Sequence, residues 1–244
     1  MPQLSPEPDG ADEDEQNPPV ITARGITMRG PWGPVYGPID LDIDAGGVTV
    51  LVAASGAGRT ALLMTLAGRM RPVEGQVTVF DRSRAADIFA NTALAGIDEL
   101  DALAESVTVR DVVTEQLRWD APWYRRVRPA GPDELTTVLA PVFGDRLLPG
   151  LGAYVDELTE LDQLLLRVAV ANTATPALLV VGNLDRITGN QDRIALLDRL
   201  IALGERQTVI TASTDPVSHP GVRAQVEVAN TTHAELAGLQ KGGR

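Results

Sequence analysis

The hydrophobic rhythm of the chain changes several times, and the changes divide it into elements. From Val20 to Met28 and from Ile39 to Ile43 apolar and polar residues alternate, the period of half-buried antiparallel strands. Val48 to Ala53 is a continuous run, apolar but for Thr49, which predicts a strand covered on both faces. It stops at Ser55-Gly56-Ala57-Gly58, and Thr60 to Met70 then reads as a helix. Gln76 to Phe80 and Thr92 to Ile97 are short strands. Helical patterns follow over 109–119 and 133–142, with Thr108 and Asp111 spaced to cap the first of them. The strongest helical pattern covers 159–173, where Thr159 stands at the cap and Asp162 at the third helical position. After it come a buried strand over 177–181, a helix over 190–203 and a buried strand over 208–212. An alternating edge strand over 222–228 and a short helix over 232–239 close the chain.

Strand and helix alternate on both sides of an all-helical stretch, which predicts an α/β fold with a mainly parallel sheet. The expected division is a core over 20–97 and 173–244, with an antiparallel β region at its start, and an inserted helical subdomain over 98–172. Ligands of such sheets sit beyond the carboxyl ends of the strands, here after Ala53, Ile97, Val181 and Ala212.

Composition narrows the chemistry. Of the 244 residues 44% are apolar and 22% charged, which excludes wholesale disorder. Residues 1–19 hold six acids, no base and several prolines, and are expected to be a disordered, solubilising tail. The net charge of −12 speaks against nonspecific nucleic-acid binding and against adhesion to an anionic membrane. There is no cysteine, and His219 and His233 are the only imidazoles, so thiol chemistry and a histidine-rich metal site are excluded. The longest uncharged stretch, 168–184, is broken by Pro176 and carries two asparagines, so it reads as buried core and not as a membrane span. With no apolar leader at its start, the chain is expected to be soluble and cytoplasmic.

The candidate chemistry lies at residues 53–60, Ala-Ala-Ser-Gly-Ala-Gly-Arg-Thr, between a strand and a helix. The phosphate-loop pattern G-x-x-x-x-G-K-[ST] fits this context, with Gly58 and Thr60 in place, Ala53 for the first glycine and Arg59 for the lysine. Backbone amides of Ser55, Gly56, Ala57, Gly58, Arg59, Thr60 and Ala61 would face a phosphate, helped by the positive end of the helix. The alternative is a tight glycine-rich turn that binds nothing. One lysine, Lys241, stands against twenty arginines, so Arg59 is to be judged against a general arginine bias.

From here the chain resembles the nucleotide-binding domain of ABC (ATP-binding cassette) proteins over nearly everything after the tail. The likeness rests on Gly37 to Val50, on Leu66-Ala67-Gly68 with Pro72, Gly75 and Val77, and on Val107-Thr108-Val109-Arg110. It continues through Glu157-Leu158-Thr159 at the signature segment, Leu178 to Val181 at the Walker B strand, and Thr208 to Pro216 at the switch segment. The resemblance implies a P-loop NTPase-type fold, ATP and Mg²⁺ as ligands with Thr60 on the metal, and a separately encoded membrane permease as partner. It also implies a homodimer or a heterodimer with a second ATP-binding subunit, held at the inner face of the cell membrane without inserting into it.

The departures fall on the chemistry. The Walker B aspartate aligns with Gly182, the catalytic glutamate with Asn183 and the switch histidine with Thr214. Asn183 could orient a water but not take its proton, and nearby Asp185 either replaces the lost carboxylate or, the favoured reading, caps the next segment. Glu160 and Leu161 replace the two signature glycines, so Thr159, Glu160 and Asp162 read best as helix capping. Asp98, Glu99 and Asp101 replace the glutamine loop, as Mg²⁺ ligands or, the favoured reading, as a solvated acidic loop. Trp32 and Tyr36 are the candidates for stacking on adenine. The expected function is an ABC nucleotide-binding subunit with weak or absent hydrolysis. The alternatives are an interaction module that kept the fold and lost nucleotide, and a different P-loop enzyme using Asp185.

Overall fold

The computed structural model describes residues 18–232, 234–236 and 238. Nearly all of the expected acidic tail, and part of the short helix expected over 232–239, lie outside the described residues. Strands β1 (Ile21–Gly30) and β2 (Gly33–Ile43) pair antiparallel. After the intervening β3 (Gly47–Val52), strand β4 (Glu74–Val79) joins them in the order β2-β1-β4. β2 begins well before Ile39, because Gly33-Pro34 and Gly37-Pro38 interrupt its alternation without ending its pairing with β1.

A second sheet holds β3 with β5 (Thr92–Ala95), β6 (Leu178–Asn183), β7 (Thr208–Ser213) and β8 (Val222–Glu227). Its order is β5-β6-β7-β3-β8 and every pairing is parallel. Successive side chains of a strand point to opposite faces, so the mainly apolar runs of β3 and β6 feed two cores. On one face Leu51, Val180 and Ile210 pack with Leu62 and Leu66 of helix α1 (Ala57–Leu66) and with Ile21, Ile26 and Tyr36 of the antiparallel sheet. α1 is therefore the filling between the two sheets. β8 lies at the edge, as its alternating sequence predicts.

Two short helices, α2 (Ala85–Phe89) and α3 (Asp98–Asp101), precede the helical stretch made of α4 (Val109–Asp120) and α5 (Pro132–Phe143). α6 (Glu160–Ala171) and α7 (Asn190–Gly204) follow. On the second face Val50, Val181 and Val209 pack with Leu161 and Leu165 of α6 and Leu196 and Leu200 of α7. Val113 and Phe143 tie α4 and α5 into the same cluster. Thr108 caps α4 as expected: its Oγ1 accepts from the Asp111 N–H, and the Asp111 carboxylate accepts from the Thr108 N–H. α1 starts and stops earlier than its pattern suggests. Gly68, at φ +69°, turns the chain into the left-handed region, and the Arg69 N–H closes back on the Met64 carbonyl.

Candidate functional site

The carboxyl ends of β3, β6 and β7 converge on the start of α1, where the Ala53 N–H donates to the Ser213 carbonyl at 3.0 Å. The loop between β3 and α1 is shaped by two glycines for different reasons. Gly56 sits at φ 142° and ψ −178°, a conformation essentially reserved for glycine, and faces open space. Gly58 is demanded by packing: a Cβ there would overlap the carbonyl oxygens of Thr231 and Val35 behind the loop.

Ser55, Gly56 and Ala57 are exposed. Among the described residues, the N–H groups of Ser55 to Arg59 donate to nothing. The first helical N–H with an acceptor is that of Thr60, which donates to the Gly56 carbonyl at 3.3 Å. Unpaired amides at a helix N-terminus, with its partial positive charge, make a receptacle for an anion. Ala61 is buried beneath the loop and faces the core, so any contribution of its own comes from the backbone alone.

Arg59 does not point out of this receptacle. It is 4% exposed, and its Nη1 lies 3.0 Å from the Ala53 carbonyl, 3.2 Å from Asp185 Oδ2 and 3.1 Å from Thr214 Oγ1. Asp185 also accepts from Ser213 Oγ at 3.0 Å, the Thr214 N–H at 2.8 Å and Thr214 Oγ1 at 2.6 Å. Burial opposes ionisation of Asp185. The Thr214 and Ser213 hydrogen bonds and the Arg59 charge outweigh it and hold the carboxyl below its ordinary value.

Asp185 is thus not the cap the sequence suggests. The capping group is Asn183, whose Oδ1 accepts from the Asp185 N–H at 2.9 Å at the start of a 3₁₀ turn over Leu184–Arg186. Asp185 is left to clamp the arginine of the loop after β3. Asn183, committed to its own turn, does not project toward the receptacle through that oxygen.

The position aligned with a metal-binding aspartate is closed by backbone. A Cβ at Gly182 would overlap the carbonyl oxygen of Gly96, which follows β5. Gly96 is pinned there by Asp101, whose carboxylate accepts from the N–H groups of Gly96 and Ile97 at 2.7 and 2.8 Å. Asp101 in turn pairs with Arg167 of α6, which is 5% exposed and also bonds Asp98 at 2.9 Å. Arg186 pairs with Asp98 as well. Asp98 and Glu99 are exposed, as the solvated-loop reading expects, but Asp98 and Asp101 are not free metal ligands, because two arginines pair with them. Among the described residues no cluster of three metal-binding side chains exists. One signal for this network was available: Arg167 is a lone charge between Leu166 and Val168 in an apolar helix, and a buried guanidinium requires acids.

Thr159, Glu160 and Leu161 are absorbed by their own fold, as the capping reading expects. Thr159 Oγ1 accepts from the Asp162 N–H at 3.1 Å, and Leu161 is fully buried. The Glu160 carboxylate accepts from the N–H and hydroxyl of Thr188, just before α7. Thr159→Ala should therefore cost about 1 kcal/mol of stability and leave ATP affinity unchanged. Chemical denaturation and nucleotide titration of the same variant check both halves.

Of the remaining candidates, Tyr36 is fully buried with its hydroxyl 2.8 Å from Thr65 Oγ1. It is a core residue and not a stacking platform. Trp32, 95% exposed in the turn between β1 and β2, stays free for one. His219 is bound to Asp198 of α7 and the Gly221 N–H, and takes no part in the network around Thr214.

Strand, glycine loop and helix on a parallel sheet define the P-loop class of α/β proteins. The family model of the ABC transporter matches residues 36–210, and the chain belongs to that family. It is 36% identical over 62 residues to a cytochrome c biogenesis ATP-binding export protein of Xanthomonas campestris pv. campestris (strain 8004), covering 25% of this chain and 29% of that one. It is 45% identical over 65 residues to a probable multidrug ABC transporter ATP-binding protein of Escherichia coli K12, covering 26% and 11%. The matched stretches thus span less than a third of those relatives' lengths. Among solved structures, the ATP-binding subunit of an ABC transporter superposes with a TM-score of 0.63 at 16% identity, over 87% of both chains. A dimeric bacterial ABC transporter cassette gives 0.65 at 15% identity, over 87% of this chain and 99% of that one. Among the described residues no helix is long and apolar enough to cross a membrane.

Proposed function

We propose that the chain is the nucleotide-binding subunit of an ABC transport system, holding ATP at Ser55–Ala61 with weak or absent hydrolysis. The observation that carries this reading is the row of unpartnered N–H groups from Ser55 to Arg59 at the N-terminus of α1. Those amides would take the phosphates. Arg59 would exchange the single Asp185 oxygen it bonds for a phosphate oxygen when nucleotide binds, since both are anionic acceptors for a guanidinium N–H.

The residues present fit a polyphosphate better than they fit a metal. Thr60 is half-buried in the first turn of α1 and offers one hydroxyl to Mg²⁺. Gly182 brings no carboxylate, and the Asp185 carboxylate is taken by Arg59, Ser213 and Thr214. An Mg²⁺ arriving with the nucleotide would keep water and phosphate oxygens for most of its ligands. Neither candidate base is free to take a proton from an attacking water, because Asn183 is an amide and Asp185 is hydrogen-bonded on both oxygens.

The partners follow from the family: a separately encoded membrane permease, met through the helical segment 98–172, and a second ATP-binding subunit. Thr159, Glu160 and Leu161 are committed to this chain's own packing, which favours a partner subunit with an intact signature segment over a symmetric homodimer. Work with a permease would hold the chain at the cytoplasmic face of the membrane.

A second reading, an interaction module without nucleotide, draws support from Arg59, whose charge is satisfied within the chain by Asp185. Titration calorimetry with ATP and Mg²⁺ separates the two. The intact chain should give saturable heat, and Arg59→Ala/Thr60→Ala should lose it. Ala57→Glu should lose it too while keeping the fold, since an acid at an exposed first-turn position suits the helix dipole and repels phosphate. An absence of heat from the intact chain at high concentration would sink the first reading and leave the second.

A further inference from the structure

The link between α4 and α5 contradicts the charge of the rest of the chain. Residues 118–128 carry Arg118, Arg125, Arg126 and Arg128 against one acid, Asp120, in a protein of net charge −12. Within the same stretch lie Trp119, Trp123 and Tyr124, which are 78%, 96% and 74% exposed. All four arginines are exposed. Among the described residues none of them lies within ion-pair distance of a carboxylate.

Three of these arginines, Arg125, Arg126 and Arg128, line a surface cavity of about 490 Å³, whose two acids, Asp120 and Glu134, accept from the Gln116 amide and the Gly131 N–H. Trp123 and Tyr124 stand beside it in an edge-to-face pair, 5.9 Å between ring centres. A folded monomer gains nothing by leaving two indoles and a phenol in water beside four unpaired guanidiniums. Rings with a polar tip next to arginines are the composition that settles at the boundary between lipid headgroups and acyl chains.

We propose that the stretch over 118–128, the end of α4 and the link that follows it, docks on the anionic surface of a phospholipid bilayer. Arg125, Arg126 and Arg128 take headgroup phosphates in the cavity, and Trp123 and Tyr124 enter the interfacial layer. The overall negative charge does not forbid this. Charges more than about 10 Å apart are screened at 0.1 M salt, so the local excess of arginine decides. Half of the net negative charge also belongs to residues 1–19, a separate stretch of the sequence. The patch adjoins a second groove, lined by Leu103, Val112, Trp119 and Val170, on the helical segment proposed above to meet a permease. Trp119 borders both, so a permease seated in that groove would bring the stretch beside the bilayer. The proposal itself does not depend on nucleotide binding.

An acidic polypeptide is the competing occupant, and it needs the arginines but not the aromatic rings in a lipid layer. Cosedimentation of the full chain with vesicles of phosphatidylcholine, alone or with about a third phosphatidylglycerol, tests the assignment. Binding should require phosphatidylglycerol and fall at least about tenfold when salt is raised to 0.5 M. Arg125→Glu/Arg126→Glu/Arg128→Glu should weaken it by about a hundredfold. Trp123→Ala/Tyr124→Ala should weaken it with the melting temperature unchanged. In a Trp32→Phe/Trp119→Phe background the emission of Trp123 should shift to the blue on vesicles. Equal sedimentation with both vesicle types, or saturable binding of polyglutamate with none to vesicles, would overturn the proposal.

Discussion

A chain carrying Gly182→Asp and Asn183→Glu should release no more phosphate from ATP than the unaltered chain, and should be less stable by at least about 3 kcal/mol. Putting back the two carboxylates that the family uses is the obvious repair, and the backbone forbids it. The carbonyl of Gly96 occupies the space a Cβ at Gly182 would need, and Asp101 and Arg167 hold Gly96 there. The new aspartate must push that loop aside, breaking the pairs to Arg167, or bury its charge without a partner. In a domain of this size the loss corresponds to a melting temperature lower by about 6–12 °C. Asn183→Glu alone keeps the glycine and its packing. It should lose only the Asn183 cap, about 1 kcal/mol, and still fold and release no phosphate, which separates failed chemistry from failed folding. Rapid phosphate release from either variant would refute this account.

Asp185→Ala should destabilise the ligand-free chain by about 2 kcal/mol and tighten ATP binding by up to about tenfold. Removing the carboxylate leaves the 4%-exposed Arg59 with only the Ala53 carbonyl and Thr214 hydroxyl. The full cost of orphaning a buried charge is larger, but Asp185 is a quarter exposed and water can follow it in. Binding gains because Arg59 no longer has a carboxylate to leave before meeting a phosphate. The pH dependence has a fixed sign. The folded state lowers the Asp185 pKa, so its stabilisation is present above the ordinary value of 3.8 and fades as pH falls through the lowered one. Denaturation curves of the intact chain and Asp185→Ala should therefore converge on acidification below that value. Parallel curves, or weaker ATP binding by the variant, would remove the clamp from the account.

What could be read in advance follows the range of the interactions. The strands β3, β6 and β7 are short, mainly apolar and β-branched runs, and α4 and α6 carry cap residues at fixed short spacings, so local pattern was enough for them. α2 and α3, of five and four residues, are too short to develop a period. The first half of β2 hid behind two glycine-proline pairs. At the site, the glycine loop and its helix are local and legible. The partners of Arg59 are 126 and 155 residues away, and those of Arg167 are 66 and 69 away. No spacing rule reaches that far. Sequence therefore named the altered positions but missed that they are stitched together, Arg59 to Asp185 and Gly182 to Gly96.

The most direct test is to incubate the purified chain with excess ATP and Mg²⁺, recover the protein rapidly, and identify the nucleotide that travels with it. An amide receptacle still open to phosphate, above a metal position filled by backbone, predicts close to one nucleotide per chain, recovered as intact triphosphate. Protein recovered without nucleotide, or a solution in which diphosphate accumulates over many turnovers, would contradict it.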